Sequence, residues 1–182
     1  MTKNKVYKEI QLKNVRLSYN SLFKTAVYKG EDTGKYTATF ILDPVKNAIE
    51  LKEIRAIIED LLKENKIKST QLTSICLADG NDTDKEEYAN KFTLKASTSN
   101  RIQVLNKDAK TLISQEDNVI YSGCYVDTFV TLHFSEYGGK RICAYLNAVR
   151  FTNDGERFGN SGGNYIGKFD PVNDEIPFND IF

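Results

Sequence analysis

Residues 123–137 and 140–152 are two long β-rich runs that meet at Gly138-Gly139, a residue pair suited to a tight hairpin turn. That ribbon is the clearest element of the chain and commits it to a β architecture. Residues 5–19 supply a strand or two, with Val6, Ile10, Leu12, Val15, Leu17 and Tyr19 falling mostly at period two once a bulge is allowed. Residues 35–42 alternate at Tyr36, Ala38, Phe40 and Leu42. Residues 26–29 lead into them through Gly30-Glu-Asp-Thr-Gly34, which predicts a second hairpin. Residues 74–77 read as a short strand or turn, and 91–97 and 101–105 as strands around Thr98-Ser-Asn100.

One helix interrupts the strands. Asp43 is a good N-cap and Pro44 suits the first helical position. Ile49, Leu51, Ile54, Ile57, Ile58, Leu61 and Leu62 mark a broad apolar face, and the helix should end near Asn65. A mainly β chain with five or more strands, one long hairpin and one main helix fits an OB-fold-like, partly open Greek-key barrel. Residues 1–152 are long enough to bury such a core without disulfides or metal.

Beyond the barrel the composition changes. Residues 153–167 hold five of the eleven glycines and three asparagines, so residues 153–168 read as a flexible linker. Residues 169–182 are an acidic tail broken by Pro171 and Pro177. Asp170, Asp174, Glu175 and Asp180 carry its charge, and Ile176, Phe178, Ile181 and Phe182 are apolar anchors with too few neighbours to form a core. The chain has 25 Lys+Arg and 25 Asp+Glu. Four of those acids lie in the tail, so residues 1–168 carry 25 cations against 21 anions, a net +4. A basic body with an acidic tail points to a polyanion ligand and to partner proteins that dock on the tail.

Several chemistries find no foothold. Cys76, Cys124 and Cys143 are odd in number and include no C-x-x-C pair, which argues against framework disulfides and zinc ribbons. The acidic loop at 79–87 matches a calcium loop badly, because its fifth, sixth and twelfth positions are Thr83, Asp84 and Asn90. It supplies no spaced metal pair for a nuclease either. His133 is the only histidine and sits within a strand. Gly138-Gly-Lys140 lacks the phosphate-loop pattern, and Gly159-Asn-Ser-Gly-Gly163 does not lie between a strand and a helix. No enzyme, metal or cofactor is expected. No apolar run approaches a membrane span, and the expected compartment is the cytosol.

What remains is a set of basic and aromatic residues interleaved on strands: Arg16, Tyr19, Lys35, Tyr36, Lys95, Arg101, Tyr125, Phe129, Lys140, Arg141, Tyr145 and Arg150. Single-stranded nucleic acid needs both kinds, cations for phosphates and flat rings for exposed bases. A Tyr or Phe in a strand is more often core and a strand Lys more often merely solvated, so the signal is collective.

Certain segments carry a resemblance. Phe92-Thr-Leu-Lys-Ala-Ser97, Asn100-Arg101, Tyr121-Ser-Gly-Cys-Tyr-Val126, Gly138-Gly-Lys-Arg-Ile142, Leu146-Asn-Ala-Val-Arg-Phe151 and Asp154-Gly-Glu-Arg-Phe-Gly159 resemble phage single-stranded-DNA-binding proteins. The likeness spans most of residues 8–159. It implies an OB-fold core that binds ssDNA in phage replication or recombination, in the cytoplasm of a bacterial host. The Phe-ended acidic tail is similar to those of T7-type phage and bacterial ssDNA-binding proteins. Bacterial tails, however, finish in a denser acidic cluster and Ile-Pro-Phe, whereas Glu175-Ile-Pro-Phe178 is here followed by Asn179-Asp-Ile-Phe182. The expected function is sequence-independent ssDNA binding, with the tail recruiting replication or recombination proteins and competing with DNA. A homo-oligomer is compatible with the sequence. The alternative is a protein-interaction adaptor whose barrel is a passive scaffold.

Overall fold

A computed structural model of the chain describes residues 7–159 and Phe169. The strands are β1 (Lys8–Ser21), β2 (Val27–Tyr28), β3 (Glu31–Asp32), β4 (Tyr36–Leu42), β5 (Ser74–Ile75), β6 (Leu77–Asp79), β7 (Phe92–Thr98), β8 (Gln103–Leu105), β9 (Tyr125–Ser135) and β10 (Arg141–Asn153). The helix α1 (Ala48–Glu64) lies between β4 and β5. Five long strands make the barrel, in the order β10-β9-β1-β4-β7, and a parallel bridge between Tyr145 of β10 and Ser97 of β7 closes it. Counted as barrel strands one to five along the chain, they run 1-2-3-5-4, with antiparallel pairs everywhere except the three–five seam. That is an OB-type barrel, as expected, with its helix inserted between the second and third barrel strands. The seam is thin. β5 flanks it at one end of β10 and β8 at the other.

The long strands alternate as the sequence predicts. Leu12, Val15 and Leu17 of β1, Phe40 and Leu42 of β4, Leu94 of β7, and Leu132, Ile142 and Leu146 of the hairpin are all fully buried in one core. Each such side chain contributes about 1.5–3 kcal/mol. The bulge expected in the first run falls between Leu12 and Val15. Asn14 takes a left-handed backbone there (φ 47), and its N–H donates to Asp127 Oδ1 at 2.7 Å.

Two local expectations change. Residues 26–29 do not pair with β4. Lys29 and Gly30 both have positive φ, 51 and 82, which closes a two-residue turn and folds Val27-Tyr28 onto Glu31-Asp32. The result is a small arm, while β4 pairs with β1 and β7, where its apolar face is buried. The helix also starts later than Pro44. Asp43 Oδ1 accepts from the N–H groups of Val45 (2.9 Å) and Lys46 (3.1 Å), capping a turn that precedes the helix. Buried Asn47 then ties the helix start to β1 by donating to Lys13 O at 3.1 Å. Leu51, Ile54, Ile58 and Leu61 face the core, but Ile49 is 78% exposed. It lies two residues before Leu51, on the opposite side of a 3.6-residue helix.

The Asp43 cap makes a testable statement about pH. The N–H groups of Lys46 and Val45, with help from Lys91, hold its carboxyl down from 3.8 to about 2. A depressed carboxyl stabilises fully above its unfolded value, and that stability is lost as pH falls through about 2. Asp43→Ala should cost about 1 kcal/mol near neutrality, as for other lost caps. In thermal unfolding the gap between parent and variant should close as the pH falls through that window.

Candidate nucleic-acid interface

The outer face of the first three barrel strands is partly covered. Tyr88, carried by the segment after β6, is buried with its hydroxyl 2.7 Å from Ser18 Oγ. Thr39, Ile41 and Thr93, which alternate with the core-facing residues, are buried too. The open remainder is the end that carries Thr37, Lys95 and Ser97, where β7 meets β10.

Tyr145 sits at that junction, because it pairs with Ser97 and points outward with Lys95. Its ring is 41% exposed and stacks on His133, with centroids 3.9 Å apart and planes 11° apart. Tyr7 completes the cluster at 5.9 Å from His133 and 6.2 Å from Tyr145. The buried imidazole therefore fixes the phenol ring from one side. Phe129, also 41% exposed, lies on the same face of the hairpin, two residues before Thr131, the partner of Tyr145.

The cations divide into two sets. Lys35, Lys95, Arg101 and Lys140 have no carboxylate among the described residues within ion-pairing distance. Lys35 and Arg101 sit at one end of the barrel, since Tyr36 pairs with Thr98; Lys140 is in the β9–β10 turn near the other. The remaining three hold the protein itself. Arg150 is paired with Asp127, the carboxylate that also receives Asn14. Arg141 donates to Tyr137 O across the turn, while its buried Nε has no hydrogen-bond partner among the described residues. Arg16 donates to Gly123 O (3.1 Å) and Glu156 O (2.7 Å) and lies 4.2 Å from the Phe158 ring and 5.7 Å from Tyr125.

Those Arg16 contacts reveal that the first part of the expected linker is fastened to the barrel. Tyr121 Oη donates to Asp154 Oδ1 (2.8 Å) and accepts from the Gly155 N–H (3.0 Å). Burial, with a further push from Asp154, raises the Tyr121 phenol above its ordinary value and so keeps its proton in place. Phe158 N–H donates to Ser122 O at 3.1 Å, and the Arg157 guanidinium lies 4.1 Å from the Tyr121 ring. Residues 154–158 thus form a strap against the barrel. The rest of the linker and the tail residues Asp170, Asp174, Glu175, Ile176, Phe178, Asp180 and Phe182 lie outside the described residues.

Three rings were not singled out by sequence. Besides Tyr7, Tyr28 at the tip of the β2–β3 arm is 67% exposed with Lys29 Nζ 5.3 Å from its ring, and Tyr137 beside Gly138-Gly139 is 86% exposed. Tyr28 and Tyr137 sit at turn tips with a glycine and a lysine within three residues, which is the signal that could have found them; Tyr7, just before β1, has no such mark. Tyr19 and Tyr36, which were expected, flank the arm, and Lys85 Nζ sits 3.7 Å from the Tyr19 ring. Nothing in this arrangement resembles a catalytic centre. Among the described residues no three His, Cys, Asp or Glu side chains can hold a metal. Burial pushes the Cys76 thiol up to about 12 and raises Cys124, so neither is a ready nucleophile. No helix among the described residues is long and apolar enough to cross a membrane.

Comparison with known proteins places this geometry. Residues 8–176 match the family described as Enterobacter phage Enc34, ssDNA-binding protein. Protein p50 of Acyrthosiphon pisum secondary endosymbiont phage 1 is 32% identical over 174 residues, covering 90% of this chain and 94% of its own. Among solved structures, the single-stranded DNA-binding protein of bacteriophage Enc34 superposes with a TM-score of 0.72 at 30% identity, over 89% of this chain and 90% of that one. The same phage protein in complex with ssDNA gives a TM-score of 0.72 at 32% identity, over 83% and 89%. The family is named for binding DNA, not for catalysis. This chain belongs to the family of the Enterobacter phage Enc34 ssDNA-binding protein.

Proposed function

We propose that the protein binds single-stranded DNA without sequence dependence through the outer face centred on Tyr145, and that it serves phage DNA replication or recombination in the host cytoplasm. One observation carries the reading: an exposed ring, held rigid by His133, stands beside Lys95, which no carboxylate among the described residues neutralises. A flat ring next to an unpaired cation offers a base its face and a phosphate its counter-charge, which a closed duplex cannot use together. The ssDNA complex of the Enc34 relative supports the same reading. Phe129, Tyr19, Tyr36, Lys35, Arg101 and Lys140 extend the contact. Arg16, Tyr125, Arg141 and Arg150 act by holding the face in shape.

The test is a titration of the whole protein with oligo-dT, oligo-rU and a duplex of the same length, without metal or nucleotide. The chain has no Trp, so tyrosine fluorescence reports binding. Oligo-dT should quench it and salt should reverse the quenching. Equal affinity for duplex and single strand without quenching overturns the reading, and no binding to any of the three favours the adaptor alternative.

The tail is assigned two further roles, competition with DNA and partner recruitment. By composition the linker reads as a flexible tether, and for the 24 residues that follow the strap that predicts a reach of about 25 Å. The tail's four carboxylates then compete with phosphates at high effective concentration. Deleting residues 169–182 should tighten oligo-dT binding at about 20 mM salt and make no difference at about 300 mM, where surface charges are screened. The truncated form should also lose its protein partners in pull-downs. Identical DNA titrations at the lower salt would remove the competitive role.

A further inference from the structure

His133 is the chain's one histidine, and it lies beneath the ring assigned to bases. Its imidazole is buried, with its centroid 3.9 Å from that of Tyr145 and its plane nearly parallel. Histidine is the only side chain that ordinarily gains a charge between about pH 5 and 8. A proton here would place a positive charge directly under the stacking surface. It would also stand close to Lys95, which lies two residues from Ser97, the partner of Tyr145 across the β7–β10 seam.

The groups around the imidazole pull in both directions. From β10, Cys143 is its cross-strand partner, and Arg141 and Tyr145 lie two residues to either side of Cys143 on the same face. From the β1 side, the Tyr7 ring is 5.9 Å away, and Glu9 pairs with Thr131, two residues from His133. Glu9 also accepts from Asn147 Nδ2 at 2.9 Å. Lys8, between Tyr7 and Glu9, is engaged by Asp60 (3.4 Å) and Glu64 (3.6 Å) of α1. β5 brings only Ser74 and Ile75 to this end of β10. Glu9 and the electron-rich face of Tyr145 favour a charged imidazole. Burial, Arg141 and Lys95 oppose it. A bound strand shifts that balance, because its phosphates add negative charge beside Lys95.

We propose that His133 takes up a proton when ssDNA binds, so that an imidazolium beneath Tyr145 becomes part of the electrostatic contact. The inference rests on the ssDNA-binding reading and adds a proton to it. The coupling is reciprocal: a strand that favours the imidazolium binds more tightly wherever the imidazolium is already favoured. Affinity for ssDNA therefore rises as the pH falls through the histidine range and is lowest above it. His133 is then a positioning residue that also carries charge, and a plain aromatic ring cannot take its place.

The test measures oligo-dT affinity of the full chain from about pH 5.5 to about pH 8 at constant salt. It compares the parent with His133→Phe, which keeps a flat ring under Tyr145 and cannot titrate. Thymine does not protonate in this range, and every other titrating group is retained in the variant and cancels in the comparison. The parent should bind about tenfold more tightly at the acid end, the effect of one pKa unit of coupling. The affinity of His133→Phe should stay flat over the range, whatever its absolute value. Proton NMR of the single histidine needs no variant: its imidazole should titrate at higher pH in the oligo-dT complex than in the free protein. Thermal unfolding monitors folding, and the NMR titration decides the matter if His133→Phe does not fold. Three results overturn the proton uptake alone: a parent affinity that is flat with pH, an equal pH dependence in the folded variant, or an imidazole that titrates at the same pH free and bound or not at all. Failure of the parent to bind oligo-dT at any pH overturns the ssDNA reading and this inference with it.

Discussion

Tyr145→Ala weakens oligo-dT binding by about 1–3 kcal/mol, roughly fivefold to 150-fold, and leaves the slope of log K against log salt unchanged. The ring carries no formal charge, so its loss releases no counterion. Lys95→Gln does the reverse. It lowers the slope by about 0.7, the contribution of one phosphate contact on a single strand, and weakens binding more at low salt than at high. The two positions are next-but-one neighbours across the β7–β10 seam, through the Tyr145–Ser97 pair. Opposite salt signatures from such close residues separate stacking from phosphate contact within one patch. A Tyr145→Ala protein that binds like the parent at every salt concentration places the stacking surface elsewhere.

Gly123→Ala destabilises the body by about 2–3 kcal/mol, from a strained φ and a backbone collision together. Gly123 has φ 111, and a Cβ there would stand 2.0 Å from Glu156 O, a backbone atom that cannot rotate away. Gly155 meets the same turn from the other side, where a Cβ would be 2.1 Å from Gly123 O. The methyl can be accommodated only if the strap lifts, which sacrifices the Tyr121, Arg16 and Phe158 contacts. The unfolding midpoint should fall by roughly 5–10 °C for a body of this size. Trypsin should then cut more readily after Arg157, because in the parent the next backbone N–H, that of Phe158, is held to Ser122 O. An unchanged midpoint and an unchanged digest would mean that the strap contributes nothing to the fold.

The parts legible in the sequence are those that rest on periodicity and on turn chemistry. The long hairpin declares itself through two β runs around Gly138-Gly139, and the helix through Leu51, Ile54, Ile58 and Leu61. Both signals are local, and tertiary packing agrees with them. The β2–β3 arm escaped because Lys29 has a left-handed backbone, and lysine does not announce that conformation as glycine does. The strap escaped for a different reason. Residues 153–168 are glycine-rich, which reads as flexibility, yet Gly155 is needed so that two backbones can touch. Close approach is a property of the partner segment and leaves no mark in local composition. The same holds for Arg16 and Arg150. Each looks like an available cation until cross-strand register brings it to Glu156 O or Asp127. His133 beneath Tyr145 is also a matter of register, and no spacing rule within one strand predicts it.

Where the bound strand lies on the barrel is the decisive question. Ultraviolet cross-linking of full-length protein to oligo-dT, followed by mass spectrometry of the linked peptides, locates it directly. Linked thymines should concentrate on Tyr145 and Phe129 of the β9–β10 hairpin, with weaker sites at the arm around Tyr28, and added salt should remove them all together. Cross-links confined to α1, or to the Tyr88 segment that covers the neighbouring strands, would contradict this placement.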